Sequence, residues 1–182
     1  MPDTFNQIVN LAEELIRSKG YNAFSYKDIS FTLGVKNAAI HYHFPSKADL
    51  GVAVINRNRE RFRHSIDNWQ NKSQAQKLKS FIHIYGDSKK RNLVCFMGAL
   101  GPAFETLPEQ MKSALRIASS EIRQYVAQVL SEGKNSGEFA FEDDPHEKAD
   151  MLVSSLMASL VVSRVSGENV FQNVEKVILR SI

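Results

Sequence analysis

Apolar residues along this chain recur every three and four positions, and strict alternation is scarce, a pattern that predicts helices rather than a sheet. Phe5, Ile8, Leu11, Ala12, Leu15 and Ile16 form the first stripe. Lys19 and Gly20 close it, a cation in the last turn followed by a glycine suited to a left-handed cap. Ser25 and Asp28 have capping-box spacing and open a short helix bearing Ile29 and Leu33. Gly34 ends that helix, and a third short helix carries Ile40 and stops near Phe44 and Pro45. A second capping box, Ser46 and Asp49, starts a long helix through Leu50, Val54, Ile55 and Phe62 toward Trp69.

Polar residues 71–74 mark a break. The pattern predicts a fifth helix from about Ala75 to Tyr85 that ends at Gly86, then a basic loop over Lys89, Lys90, Arg91 and Asn92. Gly98, Gly101 and Pro102 make the apolar run 93–107 a short or kinked helix. Pro108 fits the first position of a long helix whose apolar face is Met111, Leu115, Ala118, Ile122, Tyr125, Val126 and Val129. Residues 133–144 are a polar connection. Asp144, Pro145 and Glu147 then supply an N-cap, a first-turn proline and a first-turn acid. The helix they open is apolar nearly all round from Met151 to Val165. Gly167 breaks it, and Phe171, Val174, Ile178 and Ile182 stripe a final helix. The fold class is all-α, with about nine helices and no internal repeat.

The stretch 25–44 is the informative one. Two short helices joined by a glycine-containing turn make a helix-turn-helix, whose second helix can enter the major groove of DNA. Ile29, Leu33 and Ile40 anchor its angle, and Val35 closes the turn. A helical corner without DNA contact has the same local pattern, so both readings stand on these residues alone. Charge adds weight to the first. The chain of 182 residues carries a net charge of +3. Residues 1–64 hold nine Lys and Arg against six Asp and Glu, and the remainder is neutral, which points to an anionic partner for the first third.

Longer spacings carry a resemblance. Ala12-Glu13-Glu14-Leu15-Ile16, Gly20-Tyr21, Ser25, Asp28-Ile29-Ser30, Leu33-Gly34-Val35, Ile40-His41-Tyr42-His43-Phe44, Ser46-Lys47 and Leu50 closely resemble the DNA-binding region of the TetR (TetR/AcrR) family of bacterial transcriptional regulators. The match covers about residues 5–60; the rest matches only in helix count and length. The resemblance implies a homodimer of nine-helix subunits that binds a palindromic double-stranded operator and leaves it when a small effector binds the C-terminal part. It implies a helix-turn-helix domain over 1–47, a linking helix over 48–70, and an effector-binding and dimerisation domain over 71–182.

On that reading Asn37, Ala38, His41 and Tyr42 of the third helix face the groove, with Lys36 at its start. Asn pairs with adenine, and Ala38 or Ala39 meets a thymine methyl. Ser25, Tyr26, Lys27, Tyr42, His43 and Lys47 are the expected phosphate contacts. This chain departs from the family pattern at Lys36, where Ser or Thr is frequent as a cap, and at Ala38 and His41, where Gly and Tyr are frequent. Either Lys36 trades a cap for a DNA contact, or Asn37 shifts the cap by one residue.

Other features are weaker. His41 and His43, two apart on a helix, diverge too far to pair on a metal, and His64, His83 and His146 are scattered. No metal or cofactor is expected, and no P-loop, dinucleotide glycine pattern or catalytic triad stands out, so no enzyme is expected. Arg57, Arg59, Arg61 and Arg63 fall on two helix faces, which favours a solvated or salt-bridged helix over a DNA strip. The single cysteine, Cys95, excludes an internal disulfide and fits a reducing compartment. It reads as a small core residue, or as an electrophile or oxidant sensor if nearby cations lower its pKa.

Trp69, Phe81, Tyr85, Cys95, Phe96, Met97, Phe104 and Met111 are candidates to line a pocket, which suggests an apolar or aromatic effector. Leu152, Ser155, Leu156, Ser159, Leu160, Phe171, Val174 and Ile178 are the expected dimer interface, because the eighth helix has more apolar surface than an outer helix of a monomer needs. The apolar stretch 149–165 is interrupted by four serines and Arg164 and is shorter than the roughly 20 residues of a membrane span. The N-terminus shows no signal-peptide pattern. A cytoplasmic protein without a membrane partner is expected.

Overall fold

The computed structural model describes residues 4–182, so the first three residues of the 1–47 segment lie outside the described residues. Among the described residues nine α-helices follow one another without a strand: α1 Thr4–Lys19, α2 Tyr26–Leu33, α3 Asn37–His43, α4 Lys47–Asn68, α5 Gln74–Lys90, α6 Phe96–Leu100, α7 Glu109–Ser136, α8 Pro145–Ser166 and α9 Val170–Arg180. Short 3-10 turns cover Tyr21–Ala23 and Gly101–Thr106.

The capping signals act where the sequence places them. Ser46 accepts from the Asp49 N–H, and the Asp49 carboxylate accepts from the Ser46 N–H at 2.9 Å. Asp28 does the same for the Ser25 N–H at 2.7 Å. Asp144 accepts from the N–H groups of His146 and Glu147 ahead of Pro145. Each bond satisfies a backbone donor that a helix start leaves without an intrahelical partner.

Two helices run further than their glycines suggest. α5 continues through Gly86 to Lys90, so Lys89 and Lys90 form its last turn rather than a loop. The Phe171 ring lies beside Gly86, 3.5 Å from where a Cβ would sit, an ordinary contact that leaves room for one. α7 likewise passes Gly133 and ends at Gly137, which takes the left-handed cap at φ 77°. Phe139 folds back so closely that a Cβ on Gly133 would lie 2.1 Å from its ring. Gly133 marks close packing inside a helix, a use that sequence punctuation cannot separate from a helix end. Pro108 sits at the N-cap of α7, one residue before its expected place.

Two apolar clusters result. Ile8, Val9, Ala12, Ile16, Ile29, Ile40, Phe44, Leu50 and Val54 hold α1–α4 together, and Leu100, Met111 and Leu115 extend that cluster into α6 and α7. Leu78, Phe81, Ile82, Leu130, Leu152, Leu156, Leu160 and Phe171 form the second, between α5, α7, α8 and α9. α4 belongs to both, through Leu50 and Val54 at one end and Phe62 and Trp69 at the other.

α8 corrects one expectation. With 22 residues and a window of mean hydropathy 1.3, it is long and apolar enough to cross a membrane by length and composition. Here Leu152, Val153, Leu156 and Leu160 are buried against the chain's own helices.

Candidate functional site

In the head, α1 carries α2 and α3 on Ile8, Ala12, Ile29 and Ile40, all fully buried. The turn between α2 and α3 needs Gly34 at φ 66°, whose N–H caps the Ser30 carbonyl, a conformation that other residues rarely adopt. Lys36, Asn37, Ala38, His41 and Tyr42 are exposed, and Ala39 and His43 are half-buried. Tyr42 is 84% exposed. Lys36 is the residue before the first turn of α3 and makes no side-chain cap, and Asn37 is already helical, so the cap has not shifted by one.

Three expected phosphate contacts are partly committed inside the head. The Lys47 ammonium turns inward, donates to the carbonyls of Tyr21 (2.6 Å) and Phe24, and lies over both their rings. Burial there pulls its pKa below the usual lysine value. Its side chain therefore fastens the turn after α1 to the start of α4 instead of extending to a ligand. Tyr26 donates its hydroxyl to the Phe44 carbonyl at 2.9 Å and packs its ring edge-on to His41, tying α2 to the end of α3. Burial, with the Asp49 charge, pushes its phenol up to about 12. Ser25 donates its hydroxyl to Asp28 at 2.8 Å. Lys27 and Lys36 are exposed. Phe31 on α2, 90% exposed, is a prominent surface residue that lies off the apolar stripe of its helix, so periodicity does not mark it.

A cavity of about 300 Å³ opens between α1, α4, α5, α6 and α7. Phe81, Tyr85, Cys95, Phe96 and Met97 line it as expected, joined by Phe62 and Ile122. Trp69, Phe104 and Met111 do not. Trp69 packs on Tyr125 at 6.1 Å between ring centres, Phe104 lies beneath Lys112 and Arg116, and Met111 is fully buried under Gly51.

The cavity also has an ionic side that the aromatic inventory missed. Arg17 donates to Glu13 at 3.1 Å, to Ser88 at 2.6 Å and to the Val94 carbonyl at 3.0 Å. Arg61 reaches the other Glu13 oxygen at 2.7 Å. Arg59 grips Glu121 with Nε at 3.0 Å and a terminal nitrogen at 2.6 Å, and Arg63 shares that carboxylate. Glu121 is held below the usual carboxylate range by these hydrogen bonds, Arg59's first. The arginines of 57–63 are thus ion-paired or hydrogen-bonded, two of them at the cavity. Glu13 and Arg17, four apart on α1, were a legible ion pair. Their partners on α4 and the α5–α6 segment, 48 and more residues away, were not.

Cys95, half-buried, lines the cavity, and desolvation pushes its thiol pKa up against smaller lowering effects of the Gly98 N–H and Arg17. The lowered pKa required of a reactive sensor is absent. Lys89, Lys90 and Arg91 are not what acts on it.

Residues 8–54 match the model of bacterial regulatory proteins of the tetR family, and residues 75–173 match the tetracyclin repressor-like C-terminal domain. The chain belongs to the TetR family. Transcriptional regulator AcuR of Cereibacter sphaeroides is 24% identical over 149 residues, covering 79% of this chain and 68% of that protein. A TetR transcriptional regulator from Legionella pneumophila superposes with a TM-score of 0.90 at 29% identity, covering 100% of this chain and 98% of the other. A TetR-family regulator from Agrobacterium tumefaciens gives a TM-score of 0.92 at 24% identity, covering 98% and 96%. Membership makes this chain a DNA-binding transcriptional regulator.

In this TetR-family chain most residues named for the dimer interface face inward. Leu152, Leu156, Ser159, Leu160, Phe171 and Ile178 are buried within the chain, and Ser155 and Val174 are half-buried. On α8 and α9 the large apolar side chains left exposed are Met151, Val161, Val162, Val165 and Val177. A helix apolar all round has two such faces, and the sequence could not say which one its own chain covers.

Proposed function

We propose that this regulator is a repressor released by a small effector and acting in the cytoplasm as a homodimer on a palindromic operator. Residues 1–47 form the reading head, 48–70 the link, and 71–182 the regulatory and dimerising body. The observation that carries the proposal is the position of the cavity. Glu13 and Arg17 of α1, Arg59 and Phe62 of α4, and Glu121 of α7 all line it, and α4 is the helix that continues into the head. A ligand there acts on the element that orients α3.

Two recognition helices held about 34–36 Å apart read half-sites one DNA turn apart. Asn37 and His41 are offered to base edges, Lys27 and Lys36 to phosphates, with backbone N–H groups at the start of α4 as a further phosphate contact. The outward apolar face of α8 and α9 suits a four-helix contact across a two-fold axis. An effector that binds the DNA-incompetent arrangement more tightly lowers operator affinity by that difference.

Binding selection from random duplexes tests the first half, and a palindrome with half-sites about one turn apart is expected. Titration of compounds into the complex tests the second. Affinity that stays constant across a broad screen would leave an effector-independent dimeric DNA-binding factor as the function.

A further inference from the structure

The cavity's ionic side has more cation than anion. Glu13 and Glu121 are its two interior carboxylates, and each already serves two guanidinium groups: Arg17 and Arg61 on Glu13, Arg59 and Arg63 on Glu121. Asp87, the remaining lining acid, pairs with Lys90 at 3.0 Å and faces His83 at 3.4 Å, and Arg91 lines the same wall. A guanidinium carries five N–H donors. Arg59 spends three on Glu121 and Asn56, and Arg61 spends two on Glu13 and Asn10. The rest of the lining includes the apolar Phe62, Phe81, Tyr85, Met97 and Ile122.

Resting on the effector reading above, we infer that the effector is a carboxylate carried on a compact apolar body, its anionic end held by Arg59 and Arg61. A carboxylate accepts two parallel N–H bonds from such a fork and supplies the missing negative charge. A cation would find no uncommitted acid, and a neutral ligand would leave the arginine surplus as it is. The volume, about 300 Å³, lies at the small end of ligand cavities, roughly 300–1,000 Å³. The same arginines explain how binding is felt. Arg59 ties α4 to α7 through Glu121, and Arg61 ties α4 to α1 through Glu13. A ligand carboxylate competes with both acids and loosens α4 from its neighbours.

Isothermal titration of the full chain with matched probes tests this: propionate, benzoate and 2-naphthoate, their primary amides, and the corresponding amines. The larger carboxylates are expected to bind at least about tenfold tighter than their amides, given the strength of charge-assisted bonds. Glu121→Gln, which removes the competing charge while keeping the shape, is expected to raise carboxylate affinity and leave the amides unchanged. Arg61→Met, at a half-exposed position, is expected to lower carboxylate affinity selectively, with thermal melts confirming that both variants fold. Amides or amines that bind as tightly, or a Glu121→Gln that weakens carboxylates, would overturn the anionic assignment and leave the effector reading standing. No binding by any series, with operator affinity unaltered, would overturn both.

Discussion

Arg59 and Glu121 meet across the seam between α4 and α7 through two parallel hydrogen bonds, Nε to Oε2 at 3.0 Å and a terminal nitrogen to Oε1 at 2.6 Å. Their side chains are 18% and 25% exposed, so water screens this pair less than a surface bridge. This pair joins the helix that carries the head to the body, and both its residues line the cavity. A double-mutant cycle with Arg59→Met and Glu121→Gln, followed by urea unfolding, is expected to give a coupling energy of about 1 kcal/mol, the upper end for exposed pairs. A coupling indistinguishable from zero would mean that this pair does not hold α4 to α7.

Lys27 and Lys47 should part company. Lys27→Ala is expected to reduce the slope of log affinity against log salt by about two per dimer, since each phosphate contact contributes about 0.9. Lys47→Met removes charged hydrogen bonds to two carbonyls and is expected to destabilise the chain by about 1–3 kcal/mol, leaving that slope unchanged. A slope that falls with Lys47→Met would return that ammonium to the DNA.

Gly133 and Gly51 make a paired test of packing. A Cβ on Gly133 would strike the Phe139 ring at 2.1 Å, and one on Gly51 would strike the Met111 thioether at 2.5 Å. A ring cannot bend away, whereas methionine has flexible torsions. Gly133→Ala is expected to cost about 1–3 kcal/mol as overpacking. Gly51→Ala is expected to cost less, and unfolding midpoints rank the two directly.

Cys95 should be slow to alkylate. Its folded pKa is raised by desolvation, so at neutral pH its thiolate fraction lies below that of an ordinary cysteine. The rate with iodoacetamide is expected to climb only at pH values above those at which the unfolded chain reacts. The raised value also means that stability from the neutral thiol is present below the unfolded pKa and lost as pH rises through the folded one. Fast alkylation of the folded protein at pH 7 would contradict the raised thiol pKa.

What the sequence determined by itself is local. Helix periodicity, the Ser25–Asp28 and Ser46–Asp49 capping boxes and the Gly34 turn are readable because each depends on residues within one or two turns of one another. The same spacings carried the family resemblance, and with it the reading head. Where helices end at a glycine was less legible, since α5 runs on through Gly86 and Gly133 is small for the sake of Phe139, which folds back against it. Tertiary structure alone decided the rest. Glu121 became the partner of Arg59, Lys47 turned inward over Tyr21 and Phe24, and α8 spent its leucines and Val153 on its own core and left Val161, Val162 and Val165 outside. Each of these is a choice between partners far apart in sequence, settled by which groups the packed helices bring within reach of a charge or a hydrogen bond.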